Sequence, residues 1–249
     1  MAVLARAGHT LHVNDADMLR VQALWRDLTN AGLGFFDNDL VYTSTDSHRA
    51  APEGWVAIVR LGRQVVVAGP NDQLDRIDSN TRQSWPTQLV QAEHLDEFVC
   101  PRHTLGPARL YYGRPSSAAP STSTVGPLAV DDARVRAVLA DATDDERDES
   151  AIDDTTSGVY VALTSDGEPA AAAGWRVWPH EVAHLSVLTA HSNRGAGLGL
   201  AASHRALIAA IGAGLLPQWR VREGNLASIA LAERLGLHHV GDQYSIRLD

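Results

Sequence analysis

The chain has 249 residues, 45% of them apolar, enough for one large or two small domains around a substantial core. Its formal net charge of −9, with no extended basic cluster, argues against nucleic acid and anionic membranes as main partners. A single cysteine excludes an internal disulfide and fits a reducing, cytoplasmic setting.

The apolar run at the amino terminus is too short for a signal peptide, and no segment approaches the ~20 apolar residues of a membrane helix. Residues 16–31 have helical apolar spacing at Leu19, Val21, Leu24, Trp25 and Leu28. Residues 55–68 read as two strands around a turn at Gly62, and residues 88–98 as a helix. Cys100 follows Phe98 and Val99 and reads as a packed core thiol. The stretch from Pro115 to Gly126 is rich in Ser, Pro and Ala and offers no periodic apolar face, so it reads as a linker. These signals divide the chain into a mixed α/β domain at 1–114, a linker at 115–126 and a second domain at 127–249.

Beyond the linker, residues 130–139 read as a helix and 141–154 as a strongly acidic, solvated helix end or loop. Residues 158–164 and 170–178 form a strand pair about the Asp166-Gly167 turn, and residues 184–189 a third strand. That strand runs into the polar segment 190–193 and then Arg194-Gly195-Ala196-Gly197-Leu198-Gly199, where an alanine-rich helix begins. Glycines let backbone approach a bulky anion. The first-turn N–H groups and the helix dipole supply the attraction, so this is a diphosphate cradle. A strand at 217–221, a helix capped by Asn225 and closed by Gly236, and one or two strands at 238–248 complete the chain.

Such a cradle serves two ligand classes. Gly197-x-Gly199-x-x-Ala202 fits a dinucleotide fingerprint, with Glu223 as the ribose-binding acid. The polar spacer between strand and glycines, and the motif's late position, count against it, because a doubly wound sheet needs more βα units. The second pattern is longer. Arg194-x-x-Gly197-x-Gly199, then helix and strand, then Asn225-x-x-Ser228 with Leu235-Gly236-Leu237 closing the helix, resembles the GCN5-related N-acetyltransferase (GNAT) superfamily over roughly residues 125–249.

The resemblance implies a mixed α/β fold, with a central mixed sheet flanked by helices. A smaller α/β domain precedes it and can be read as a degenerate copy. It implies a transferase that moves an acetyl group from acetyl-CoA directly to a primary amine of a small molecule or protein, in a monomer or homodimer. Backbone at Val187, Leu188 and Thr189 would meet the pantetheine arm. Arg194, Gly195, Ala196, Gly197, Leu198, Gly199 and Leu200 would meet the diphosphate. Asn225 and Ser228 would assist or simply cap their helix. A silent CoA-binding module and, further off, an NAD(P)-binding oxidoreductase are the alternatives.

The acceptor amine must lose a proton and the leaving thiolate must gain one. Where many relatives carry an acidic tyrosine, seven residues after the Asn, this chain has Ala232. Tyr244 is a candidate substitute acid. His180, Glu181 and His184, flanking the strand that should face substrate, are candidate bases. No metal site is expected, because the adjacent His238 and His239 would point to opposite faces of a strand.

Overall fold

The computed structural model describes residues 13–32, 39–81, 101–114 and 120–248. The helix read at 88–98 and Cys100 lie outside the described residues. Helix α1, Asp15–Thr29, starts where the Asn14 side chain accepts the Asp17 N–H at 2.8 Å. It stops at Asn30, whose left-handed backbone (φ 57°) breaks the ladder. Strand β1, Leu40–Ser44, precedes the hairpin of β2, Val56–Leu61, and β3, Gln64–Gly69. Helix α2 is Asn71–Thr81, followed by β4, His103–Tyr112, and β5, Thr124–Leu128.

Helices α3, Ala133–Ala140, and α4, Asp144–Ser150, lead to a meander of β6, Val159–Leu163, β7, Pro169–Trp178, and β8, Val182–Thr189. Helix α5, Leu198–Gly212, strand β9, Leu216–Arg222, helix α6, Leu226–Arg234, and strand β10, His238–Arg247, follow. From β6 onward this is the order read from sequence. No described helix is long and apolar enough to cross a membrane.

One ten-stranded sheet runs through the described residues in the order β1-β3-β2-β10-β4-β9-β8-β7-β6-β5. Only β1–β3 and β8–β9 are parallel. The last strand, β10, lies between β2 and β4, so both halves of the chain contribute to one sheet. The linker read at 115–126 ends inside β5, which pairs with β6.

Strand β4 was hidden from sequence reading by Gly106-Pro107, a pair that signals a turn. The sheet accommodates it as a bulge. Register against β10 jumps from Gln243↔Ala108 to Ser245↔Leu105, and Gly106 takes φ 104°. A Cβ there would sit 2.8 Å from the Gln243 carbonyl oxygen.

Two faces of the sheet are covered. On one, α1 packs Val21, Leu24 and Trp25 against Val59, Leu110, Tyr112 and Val182. On the same side, α3 packs Val135 and Val138 against Val161, Ala172 and Leu188. On the other, α5 and α6 pack Leu207, Ala210 and Ile229 against Ala173, Leu185, Trp219 and Val221. The two faces meet at the gap between β8 and β9.

Candidate functional site: a split between two parallel strands

Strands β8 and β9 pair only at Val182↔Leu216, Ala183↔Pro217 and His184↔Gln218, then diverge. Each stays fixed on its outer edge, β8 to β7 as far as Thr189↔Ala171 and β9 to β4 as far as Arg222↔Ala108. The inner edges of residues 185–189 and 219–222 therefore have no ladder partner, a condition sheets normally avoid. A cleft of about 400 Å³ occupies the split, walled by Leu185 to Thr189 and by Trp219, Arg220 and Val221.

At the open end, Thr189 leads through a short 3₁₀ turn, His191–Asn193, to the glycine loop. Gly195 and Gly197 both have φ 78°, and a Cβ at either would meet nothing within 4 Å. Gly199 differs, since its Cβ would lie 2.6 Å from Thr189 Oγ1. Two glycines thus shape an open loop, and the third lets α5 lie close on β8. Gly197 caps α5 without a side-chain bond, and the first backbone bond runs from Ala201 N–H to Gly197 C=O at 3.1 Å. The N–H groups of the first turn, from Leu198 to Leu200, are left to the cleft that these residues line.

A second helix start faces the same space. Asn225 Oδ1 accepts the Ser228 N–H at 3.0 Å, and Trp219 Nε1 donates to Ser228 Oγ at 3.0 Å. The cap and ligand readings of these residues are compatible, because both line the cleft.

Residues 129–237 match the acetyltransferase (GNAT) family model. The carboxy-terminal region of the chain is a GNAT-superfamily region. Solved structures similar to the chain include an acetyltransferase of the GNAT family from Colwellia psychrerythraea, with 15% identity and a TM-score of 0.44 over 60% of this chain and 58% of that one. A GCN5-related N-acetyltransferase from Kribbella flavida has 21% identity and a TM-score of 0.44 over 64% of each chain. A GCN5-related N-acetyltransferase-like protein from Streptococcus suis has 16% identity and a TM-score of 0.45 over 93% of this chain and 98% of that one. The match spans only about three fifths of the first of these structures. No curated protein matches the sequence.

Helix α4 forms the third wall of the cleft, where sequence reading had placed a solvated acidic segment. Glu146 and Glu149, one helical turn apart, both line it. Arg194 Nη2 donates to Glu146 Oε1 at 2.6 Å, and Asn225 Nδ2 donates to Glu149 Oε1 at 2.9 Å. Arg222 lies 3.5 Å from Glu149. The Arg194 guanidinium, then the Thr143 N–H, hold the Glu146 carboxyl below the usual carboxylate range. Their i, i+3 spacing was the sequence signal for this wall.

At the apex of the split, His184 stacks on Trp178 with ring centroids 4.4 Å apart and 18° between planes. Gln218 Nε2 donates to the Tyr112 hydroxyl at 2.5 Å, and Trp25 Nε1 donates to the same oxygen at 2.8 Å. That orients the Gln218 amide, so its Oε1 must accept from His184 Nδ1, 2.9 Å away. The lone pair of the neutral ring therefore sits on Nε2. Burial first, then the repulsion of Arg220, pushes the His184 imidazole down from 6.5 to about 4. Burial likewise pushes the Tyr112 hydroxyl up.

Of the sequence-named cofactor residues, Val187, Leu188, Thr189, Arg194, Gly195, Gly197, Leu198, Gly199, Leu200, Asn225 and Ser228 line the cleft. Ala196 is not among the lining residues. The catalytic candidates separate. His184 marks the apex. Glu181 is in the β7–β8 turn, with φ 57°, paired to Arg20 at 3.1 Å. Tyr244 packs with Val56, Ile58, Val67 and Ile77 under α2, in a cluster apart from the cleft. Ala232 is fully buried between α6 and the sheet.

Proposed function

We propose that the chain is an acetyl-CoA-dependent N-acetyltransferase that transfers the acetyl group directly to a primary amine. The observation carrying this reading is the continuity of an unpaired strand edge with an uncapped helix start. From His184 to Thr189 is five residues, or about 17 Å of strand at ~3.3 Å each. An extended amide-bearing arm laid along that edge can bond with the inner N–H and C=O groups of β8. Its diphosphate end then meets the N–H groups of Leu198, Gly199 and Leu200, where the helix dipole favours an anion. Arg194 supplies a charge there once it exchanges Glu146 for phosphate.

The coenzyme supplies an activated acyl carbon, and the thioester C–S bond breaks as the C–N bond forms. The sulfur departs with the electron pair and takes a proton. The remaining task is to take a proton from the acceptor ammonium, so that its nitrogen has a lone pair with which to attack. His184 stands where that proton leaves: its Nδ1–H is committed to Gln218, so Nε2 is the nitrogen that can accept, and an imidazole held down at about 4 passes the proton on to solvent rather than keeping it. The amino-terminal half contributes by orientation, because Trp25 and Tyr112 fix the Gln218 amide. This makes it the part that shapes the acceptor side.

Thermal denaturation with and without ligands tests the reading. Acetyl-CoA at about 100 times its Kd adds ~2.7 kcal/mol, or roughly 5–10 °C for a chain of this size. NAD should add nothing. Stabilisation by NAD and not by acetyl-CoA overturns the assignment. Thiol release with an amine panel then separates a working enzyme from a silent module.

A further inference from the structure

Charged side chains lining the cleft are Glu146, Glu149, Arg194, Arg220 and Arg234. Glu146 holds Arg194, and Glu149 holds Arg222. Arg176, beside the apex, has Asp154 at 3.3 Å. Arg220 has no carboxylate partner among the described residues. Its side chain is exposed on the cleft wall, and its charged neighbour on that face is Arg176. An unpaired guanidinium on a cleft wall, with a second cation beside it, makes a place for an anion.

Strand alternation says which anion. Trp219 and Val221 pack in the core under α5, so Arg220 points to the opposite face. Gln218, two residues earlier on that face, bonds Tyr112 and His184. Arg176 shares the face, since it pairs with His184 across β7 and β8. Ser186 and Arg220 are each two residues past the His184↔Gln218 pair, on the two sides of the split. The glycine loop instead opens beyond Thr189, about 10 Å further along the strand than Ser186. Arg220 is therefore at the acyl end, on the face turned away from α5, and not at the diphosphate end.

We propose that Arg220 binds a carboxylate of the acceptor, so that the amine acetylated here is a small amino acid. This rests on the acetyltransferase reading of the same cleft. A bidentate carboxylate on the guanidinium would hold the acceptor beside the His184 apex, where its amino group can reach the acyl carbon. Selectivity arises because only an acceptor that carries the carboxylate makes the bidentate, charge-assisted contact. The carboxylate takes no part in bond making.

The test measures thiol release from acetyl-CoA with matched acceptors: glycine, β-alanine and glutamate, their carboxamides, and the corresponding decarboxylated amines. A charge-assisted contact of this kind is worth about ten- to a hundredfold in kcat/KM for the acid over the amide. Arg220→Gln should erase that preference, and Arg220→Lys should retain part of it. Calorimetric affinity for CoA should move by less than about threefold, within the usual limit for an independent site. Equal rates for acid and amide in the wild type overturn the proposal. So does a loss of CoA affinity in Arg220→Gln with the preference intact, which would make Arg220 a phosphate ligand. If no amine releases thiol, the acetyltransferase reading fails on its own. Titrating the same pairs into CoA-saturated protein then decides the inference, and equal binding of acid and amide overturns it.

Discussion

Replacing Gly197 by Asp and, separately, by Asn isolates the charge term of the proposed diphosphate cradle. Gly197 has φ 78°, a conformation that Asn and Asp tolerate better than other L residues, and a Cβ there meets nothing within 4 Å. The two variants therefore share backbone strain and shape and differ by one charge. A carboxylate ~4 Å from a phosphate repels it by about 4 kcal/mol at an effective dielectric of ~20 and by about 1 kcal/mol in bulk water. The cleft is open, so the Asp variant should bind acetyl-CoA between about five- and a thousandfold more weakly than the Asn variant. Stability should move the other way. A carboxylate at a helix N-terminus is favourable by roughly 0.3–1 kcal/mol, so Asp should melt no lower than Asn. Isothermal titration calorimetry gives the affinity ratio. Acetyl-pantetheine, which lacks the diphosphate, provides the control and should bind both variants alike. Equal affinities for acetyl-CoA, or an equal loss for acetyl-pantetheine, would refute the cradle.

Gly199→Ala should destabilise the fold by about 1–3 kcal/mol, because the new methyl lies 2.6 Å from Thr189 Oγ1. Adding Thr189→Ala should recover most of that loss in chemical denaturation, and failure to recover it would place the strain elsewhere. His184 supplies a pH signature. Its folded pKa of about 4 lies below its ordinary 6.5, so the unfolded chain takes up a proton that the folded one refuses. The contribution is fully present above pH 6.5 and is lost as pH falls toward 4. Near pH 5 the wild type should lose up to ~1.4 kcal/mol per pH unit more than His184→Gln. Parallel pH–stability curves for the two proteins would show that burial leaves this imidazole unperturbed.

Sequence alone determined the pieces whose physics is local. The strand that ends at Thr189, the loop Arg194-Gly195-Ala196-Gly197, the helix behind it and the Asn225-capped, Gly236-closed helix each depend on spacing, caps and φ within a few residues. Glycine type did not say which glycine does what. Gly195 and Gly197 serve an open turn, whereas Gly199 serves packing against a strand ten residues earlier in the chain.

Tertiary structure decided the rest, because the deciding contacts join residues far apart in the chain. The cleft exists because β8 and β9 pair for three residues and then part, each held by a different outer neighbour. The acidic segment becomes a wall only when Glu146 and Glu149 reach Arg194 and Asn225 across that gap. Of the catalytic candidates, His184 is the one joined through Gln218 to Tyr112 and Trp25, while Tyr244 and Glu181 lie elsewhere. A net charge of −9 by itself favours cationic partners only mildly. On the proposed reading, the nearby guanidinium of Arg220 weighs more for a bound acceptor than that distant, screened sum.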